Sequence, residues 1–346
     1  MRGKITIQKI ADTTGVSKYA VSRALAGKSG VSEQTREMIL KAAGQLGYFN
    51  HDSFRTTAAQ EQPEYLYTKK TGTIVVLFPN IRYQNKESLY WGPVSEGITS
   101  RLNELGMDII TLTEPTSDHV FKVLNPDAIL GIITVGSIST SILLDIHRLR
   151  IPLVMVDHLE PGYHCDTIFS DNMLCMREIM TRLIHKGYSS FQFVGNIQDA
   201  YSFYERWLAY SAALEYYNLE RNQMPELIGP DVEHIHQVIA ELDEKRIPEV
   251  FVCANDMTAL FAIEALKARN IQVPAHCAVT GFDHTYDDLP LFATVDVNKE
   301  VLGHRAVDQM MWRIANPNAC YEKKQLYAEI LYKEQNAVPI RTVQFG

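Results

Sequence analysis

The reading of this chain turns on Ile10-Ala11-Asp12-Thr13-Thr14-Gly15-Val16-Ser17-Lys18-Tyr19-Ala20-Val21-Ser22-Arg23-Ala24-Leu25. Its apolar residues Ile10, Val16, Val21 and Leu25 fall on one side of two short helices. Gly15 lies between them, where a sharp turn is needed, and small Ala11 lets the helices cross closely. Thr6 is placed to cap the first helix, which carries Ile7, Ile10 and Ala11 on one face, and Ser17 to cap the second. Val16 before that cap and Val21 beyond it suit a hydrophobic staple. A third helix is predicted after Ser32, where Ile39, Leu40, Ala43 and Leu46 recur at helical spacing before Gly47. Three short helices with so few large apolar groups make a core that is marginal alone.

The polar residues left outside this core are Lys18, Tyr19, Ser22 and Arg23, near the start of the second helix. In a helix-turn-helix that helix enters the major groove with its N-terminal residues towards the base edges. Lys18 and Arg23 carry donors for guanine acceptors. Thr6, Ser17 and Ser22, with the helix N-termini, suit phosphate oxygens. The net charge of −8 argues against nucleic acid, but its distribution does not. Residues 1–60 hold nine Lys/Arg and four Asp/Glu, a local charge of +5, which leaves −13 on the remainder. A basic head on an acidic body is expected where only the head approaches phosphates.

Residues 51–71 lose all periodicity and contain Pro63, and read as a linker. A different pattern then begins. Thr73 to Phe78 is a short continuous apolar run, as a parallel strand buried on both faces requires. Further strands are predicted over 108–112, 128–135, 153–157, 191–194, 250–254 and 278–282. Helices are predicted over 97–105, 172–186, 206–217, 232–245, 256–269 and 299–314. The fold class is therefore α/β: a small all-α helix-turn-helix DNA-binding domain over 1–50, an atypical extended hinge over 51–71, and a two-lobed, doubly wound parallel-sheet effector domain over 72–346. No apolar run is long enough for a membrane helix, and residues 1–9 lack a signal-peptide core, so a cytoplasmic protein is expected. The five cysteines form no C-x-x-C pair, which speaks against a zinc site or disulfide framework. His234 and His236 are two apart and point to different sides of a helix, so no metal site is expected there. No P-loop, nucleophile elbow or Rossmann fingerprint is present, and no cofactor or catalytic residue is expected.

The head resembles the lac/gal repressor family of bacterial transcriptional regulators, and the match runs on through Gly27, Val31-Ser32, Thr35-Arg36, Ala42-Ala43 and Leu46-Gly47-Tyr48. It continues through Lys70-Thr71-Gly72-Thr73-Ile74, Ser170-Asp171-Asn172, Ala254-Asn255-Asp256, Val273-Pro274, Gly281-Phe282-Asp283 and Pro290 with Ala293-Thr294-Val295. The resemblance implies a homodimer on a near-palindromic operator, with a body like the periplasmic sugar-binding proteins. It implies a repressor of carbohydrate-utilisation genes, controlled by a sugar or sugar phosphate in the cleft between the lobes. It also implies a hinge leucine wedged into the minor groove. Leu66 falls at that place counting back from Thr71, but its neighbours Pro63, Glu64 and Tyr65 depart from the family pattern, and a plain linker residue is the other reading.

Ligands in such lobes bind at the carboxyl ends of strands. Asp157, Asn255 and Asp283 end predicted strands and match family ligand positions, and Arg206, expected at the start of a helix, corresponds to the family's effector arginine. Carboxylates and amides pair with sugar hydroxyls, and an arginine adds a fork of donors. Tyr83, Tyr90 and Trp91 after the first strand, and Phe203 and Tyr204 before Arg206, are candidates to stack on a sugar face or simply to pack. A rival reading keeps the body as a ligand-binding module with a non-functional head.

Overall fold

Val75 and Leu77 of the first strand bury against one layer of helices, and Ile74 and Val76 against another. That two-sided burial makes the inner strands of the body, such as Thr73–Leu77 and Val250–Cys253, almost continuously apolar. The computed structural model describes residues 6–26, 28, 30–32, 35–36, 38–39, 42–43, 72–78, 87–113 and 126–333. The chain divides into two compact units, Met1–Thr68 and Lys69–Gly346.

The first unit contains α1 (Ile7–Thr14) and α2 (Lys18–Leu25), and residues 35–36, 38–39 and 42–43 are also helical. Thr6 Oγ1 accepts from the Lys9 amide at 3.4 Å, and Ser17 Oγ from the Ala20 amide at 3.2 Å. Gly15 ends α1 in the left-handed region at φ 70°, and its N–H bonds the Ala11 carbonyl at 2.9 Å. Ser32 Oγ accepts from the Thr35 amide at 3.2 Å, as a cap before the third helical stretch. Ile10, Ala11, Val21, Ala24, Ile39 and Ala43 form the buried core. Val16 and Leu25, expected to face inward, are only partly buried, and Ala24 is the buried residue at the end of α2.

The second unit has two lobes. The sheet of lobe one runs β10-β5-β4-β3-β1-β2 and is parallel throughout. Its strands are β1 (Thr73–Leu77), β2 (Asp108–Leu112), β3 (Ile129–Val135), β4 (Leu153–Val156), β5 (Asp166–Ser170) and β10 (Lys323–Leu326). Helices α3 (Trp91–Glu104) and α9 (Lys299–Ala315) cover one face and α4 (Thr140–Leu149) the other. The sheet of lobe two runs β11-β9-β8-β7-β6, with β11 (Glu329–Tyr332) antiparallel to β9 (Ala293–Asp296). The others are β6 (Phe191–Val194), β7 (Val250–Cys253) and β8 (Ala278–Thr280). Helices α5 (Asn172–His185) and α6 (Tyr201–Tyr216) pack on one face, α7 (Ile235–Glu241) and α8 (Asp256–Ala268) on the other. The chain crosses between lobes three times: from β5 to α5, from β9 to α9, and from β10 to β11.

Several expectations need correction. The helix foreseen over 97–105 begins a turn and a half earlier, at Trp91. That foreseen over 232–245 shrinks to α7, because its ends are single tight turns over Val232–His234 and Glu244–Arg246. Helix α4 and strands β5, β9, β10 and β11 add to the predicted elements. Four cysteines, Cys165, Cys175, Cys253 and Cys277, are buried free thiols.

Helices α3 and α9 touch backbone to backbone. A Cβ built at Gly97 would collide with the Glu300 carbonyl oxygen, and one at Gly303 with the Val94 carbonyl oxygen. Neither obstacle is a flexible side chain, so a larger residue must push the helices apart. Gly303→Ala should therefore destabilise the body by about 1–3 kcal/mol, the usual cost of overpacking. Denaturant unfolding checks this, with Lys267→Ala on the exposed face of α8 as the neutral comparison.

Candidate functional site

The outward face of α2 presents Lys18, Tyr19 and Ser22 as exposed side chains, with Tyr19 69% exposed. Arg23 is half-buried, donates from Nη1 to the Tyr19 hydroxyl at 3.0 Å, and holds its guanidinium carbon 5.4 Å from the Tyr19 ring centroid. The two side chains, one turn apart on the helix, thus form one donor-rich patch. Thr6 and Ser17 spend their hydroxyl oxygens on caps, which still leaves each hydroxyl hydrogen to donate. Leu66, the rest of the hinge over 51–71 and Tyr83 lie outside the described residues.

In the body, a cavity of about 690 Å³ opens where β4, β7 and β8 end. Asp157, Phe203, Arg206, Asn255 and Asp283 line it together, so five predicted residues from distant parts of the chain meet in one place. Trp91 and Tyr90 line it too. Arg206 is 1% exposed. Its Nη2 donates to Asp283 Oδ1 at 2.9 Å, its Nη1 to the Ala254 carbonyl at 2.7 Å and its Nε to Asn172 Oδ1 at 2.9 Å. The guanidinium lies flat on Phe282, its carbon 3.6 Å from the ring centroid, with Phe203 at 5.6 Å. Five N–H bonds minus three leaves two donors for a ligand. Arg206 does not start a helix as expected: the Tyr201-Ser202-Phe203 segment is itself the first turn of α6.

Asp157 is 6% exposed and its φ is 54°; Asp283 has φ 88°. Non-glycine residues in this region are uncommon, and where they persist they often belong to a functional site. The Tyr90 hydroxyl and Ser202 Oγ both reach Asp157 Oδ2 at 3.4 Å, the outer limit of a hydrogen bond. Burial pushes the Asp157 carboxyl up to about 7, against the pull of the Arg206 guanidinium. The same burial raises the Tyr90 hydroxyl well above its ordinary value. Asn255 caps α8, its Oδ1 accepting from the Thr258 amide at 2.9 Å, which commits only one end of its amide. Asp256, the first residue of that helix, is buried and accepts from Thr294 Oγ1 at 2.7 Å and from the Thr285 amide at 2.8 Å.

Tyr204 is 44% exposed and does not line the cavity. Lining residues missed from the sequence include Ser202, Glu87 and Asp199, and behind the cavity Asn172, which holds Arg206. Asn172 was visible in Ser170-Asp171-Asn172, but only as a point of resemblance. Among the described residues no group of three or more His, Cys, Asp or Glu could hold a metal ion, and no helix is long and apolar enough to cross a membrane.

Comparison with known proteins matches residues 6–50 to the model of bacterial regulatory proteins, lacI family, and residues 180–333 to the periplasmic binding protein-like domain. The transcriptional regulator MalR of Streptomyces coelicolor is 26% identical, with 95% of each chain covered. Among solved structures, a transcriptional regulator CelR–cellobiose complex superposes with a TM-score of 0.66 at 20% identity, covering 94% of this chain and 98% of that one. The lac repressor dimer bound to operator and the anti-inducer ONPF does so with a TM-score of 0.62 at 20% identity, covering 95% and 98%. With a capped helix-turn-helix in its first unit and a two-lobed parallel-sheet body in its second, this chain carries the lacI-family region of bacterial regulatory proteins over residues 6–50 and a periplasmic binding protein-like region over residues 180–333, and is a sequence-specific DNA-binding regulator of transcription.

Proposed function

We propose that a homodimer of this chain represses carbohydrate-utilisation genes and that an uncharged sugar in the 690 Å³ cavity sets its operator affinity. In this reading Lys18, Tyr19, Ser22 and Arg23 meet base edges and neighbouring phosphates, and Thr6 and Ser17 donate to the backbone. Leu66 is the residue proposed to wedge at the operator centre. Asp157, Asn255, Asp283 and Arg206 take ligand hydroxyls, and Phe203, with Tyr83, offers a ring to a sugar face. The ligand acts because it binds one arrangement of the two lobes better than the other.

The observation that carries the choice of ligand is the charge balance. Among the described lining residues Arg206 is the one full cation, and Asp283 already neutralises it at 2.9 Å. Asp157, Asp199 and Glu87 add acid around the same space. A phosphate dianion needs uncommitted cationic donors, whereas sugar hydroxyls are served by carboxylates, an amide and two arginine N–H bonds. The volume falls within the range of about 300–1,000 Å³ usual for small-molecule sites. The CelR relative carries cellobiose, which is uncharged.

Three outcomes follow from this reading. Lys18→Ala with Arg23→Ala should abolish discrimination between an operator, selected from random duplexes, and unrelated DNA, each base contact being worth about 1–3 kcal/mol. Anisotropy titrations at fixed salt measure it, and undiminished discrimination would place DNA reading elsewhere. In calorimetry across a panel of mono- and disaccharides and their phosphates, uncharged sugars should bind about tenfold or more tightly than their phosphates; a phosphate that wins reverses the assignment. Finally, the Asp157 carboxyl is raised from its unfolded value near 3.9 to about 7 in the fold. The folded chain holds this proton longer, so the group favours folding at low pH and that benefit is lost as pH rises through 7. Asp157→Asn should thus gain stability relative to the parent chain between pH 5 and pH 8, read as the difference in Tm.

A further inference from the structure

Arg206 is the end of a series of polar contacts that starts in the other lobe at Lys323, whose side chain is 34% exposed, and runs inward through buried groups. Its Nε donates to Asn172 Oδ1 at 2.9 Å, Asn172 Nδ2 donates to Glu205 Oε2 at 2.9 Å, and Lys323 Nζ donates to Glu205 Oε1 at 2.6 Å. Asn172 is wholly buried and Glu205 is 4% exposed. The amide has one tolerable orientation, because the arginine offers only donors and the carboxylate only acceptors. Turned over, it would set a donor against a donor and an acceptor against an acceptor, in a place water does not reach.

The members of this series come from both lobes. Lys323 is the first residue of β10, in the sheet of lobe one. Glu205 and Arg206 lie on α6 of lobe two, and Asn172 opens α5 just after the first crossing between lobes. Lys323 Nζ also sits 4.9 Å from the Phe169 ring centroid on β5 and 5.0 Å from that of Tyr201 on α6. One aromatic partner belongs to each lobe, so this ammonium marks the relative position of the two.

We propose that Lys323 and Glu205 are positioning residues for Arg206, and that through Asn172 they tie the orientation of the ligand-contacting arginine to the register of the two lobes. The proposal rests on Arg206 being a ligand contact. If Lys323 loses its charge, Glu205 is a buried carboxylate with one donor fewer. Turning to another donor relieves it, and removes the acceptor that fixes the Asn172 amide. A shift of β10 against α6 parts Lys323 from Glu205 with the same result. A ligand that needs Arg206 aligned therefore favours the lobe arrangement in which the ion pair is closed, and the converse follows by linkage.

The test uses the full-length chain with Lys323→Met, which keeps the stem against Phe169 and Tyr201 but removes the charge, and Lys323→Arg, which restores it. The primary readout needs no ligand: hydrogen exchange of the Arg206 Nε–H by nitrogen-15 NMR, its resonance assigned by its loss in Arg206→Lys. Exchange should quicken about tenfold in Lys323→Met, the scale of one lost hydrogen bond, and return towards the parent value in Lys323→Arg. The second readout is affinity for cellobiose, or for the tightest uncharged sugar of the panel, with the same pattern of loss and rescue. Exchange that is unchanged in Lys323→Met overturns the proposal. So does unchanged affinity for a sugar that the parent chain binds. If exchange responds and no sugar binds even the parent chain, the relay stands and the reading of the cavity as a sugar site is what fails.

Discussion

The body is organised around a guanidinium group withdrawn from water. A buried cation is tolerable only if it is paired and hydrogen-bonded, and Arg206 meets that condition with groups from four places: Asp283 after β8, the Ala254 carbonyl after β7, Asn172 at the start of α5 and the face of Phe282. None of these is close to Arg206 in sequence. They converge because parallel strands end side by side, at the same edge of the sheet, and because α5 and α6 pack on one face of it. The cavity inherits its chemistry from that convergence. Asp283 neutralises the arginine, and Asp157 is left in a dry place where a charged carboxylate is unfavourable.

The two units spend their apolar residues differently. Among the described residues the body has four buried clusters, one on each face of each sheet, and its inner strands need no polar side. The head rests on a single cluster in which Ala11, Ala24 and Ala43 stand beside Ile10, Val21 and Ile39. Small residues let the helices approach closely but bury little area each, so the head gives up stability for compactness. The same economy leaves a whole face of α2 to polar residues and one exposed tyrosine. A surface of that kind suits a partner that is itself charged and hydrogen-bonding.

Elements with a strong period were legible without a structure. The bounds of β1, β2, β6, α5, α8 and α9 fall within a residue or so of where apolar spacing places them. Strands β10 and β11 were not legible, because Lys323, Lys324, Gln325 and Glu329 break any apolar pattern; they are strands because β5 and β9 offer them a free edge. The start of α6 was misplaced for a related reason. Ala200 makes no side-chain cap bond, so nothing in the local sequence announces the helix.

By itself the sequence determined the capped helix-turn-helix, the alternation of strands and helices, and the presence of acidic residues at strand ends. These are local properties, set by periodicity, capping and turn chemistry within a few residues. Only the tertiary structure decided which polar groups share the cavity, that Asp283 neutralises Arg206, and that Asn172 and Glu205 connect that arginine to Lys323. Partners of 33 to 118 residues' separation along the chain are brought within 3 Å by sheet register and helix packing. The pattern of neighbouring residues carries no trace of such distances, because burial rewards a polar group for meeting a complement wherever in the chain it comes from.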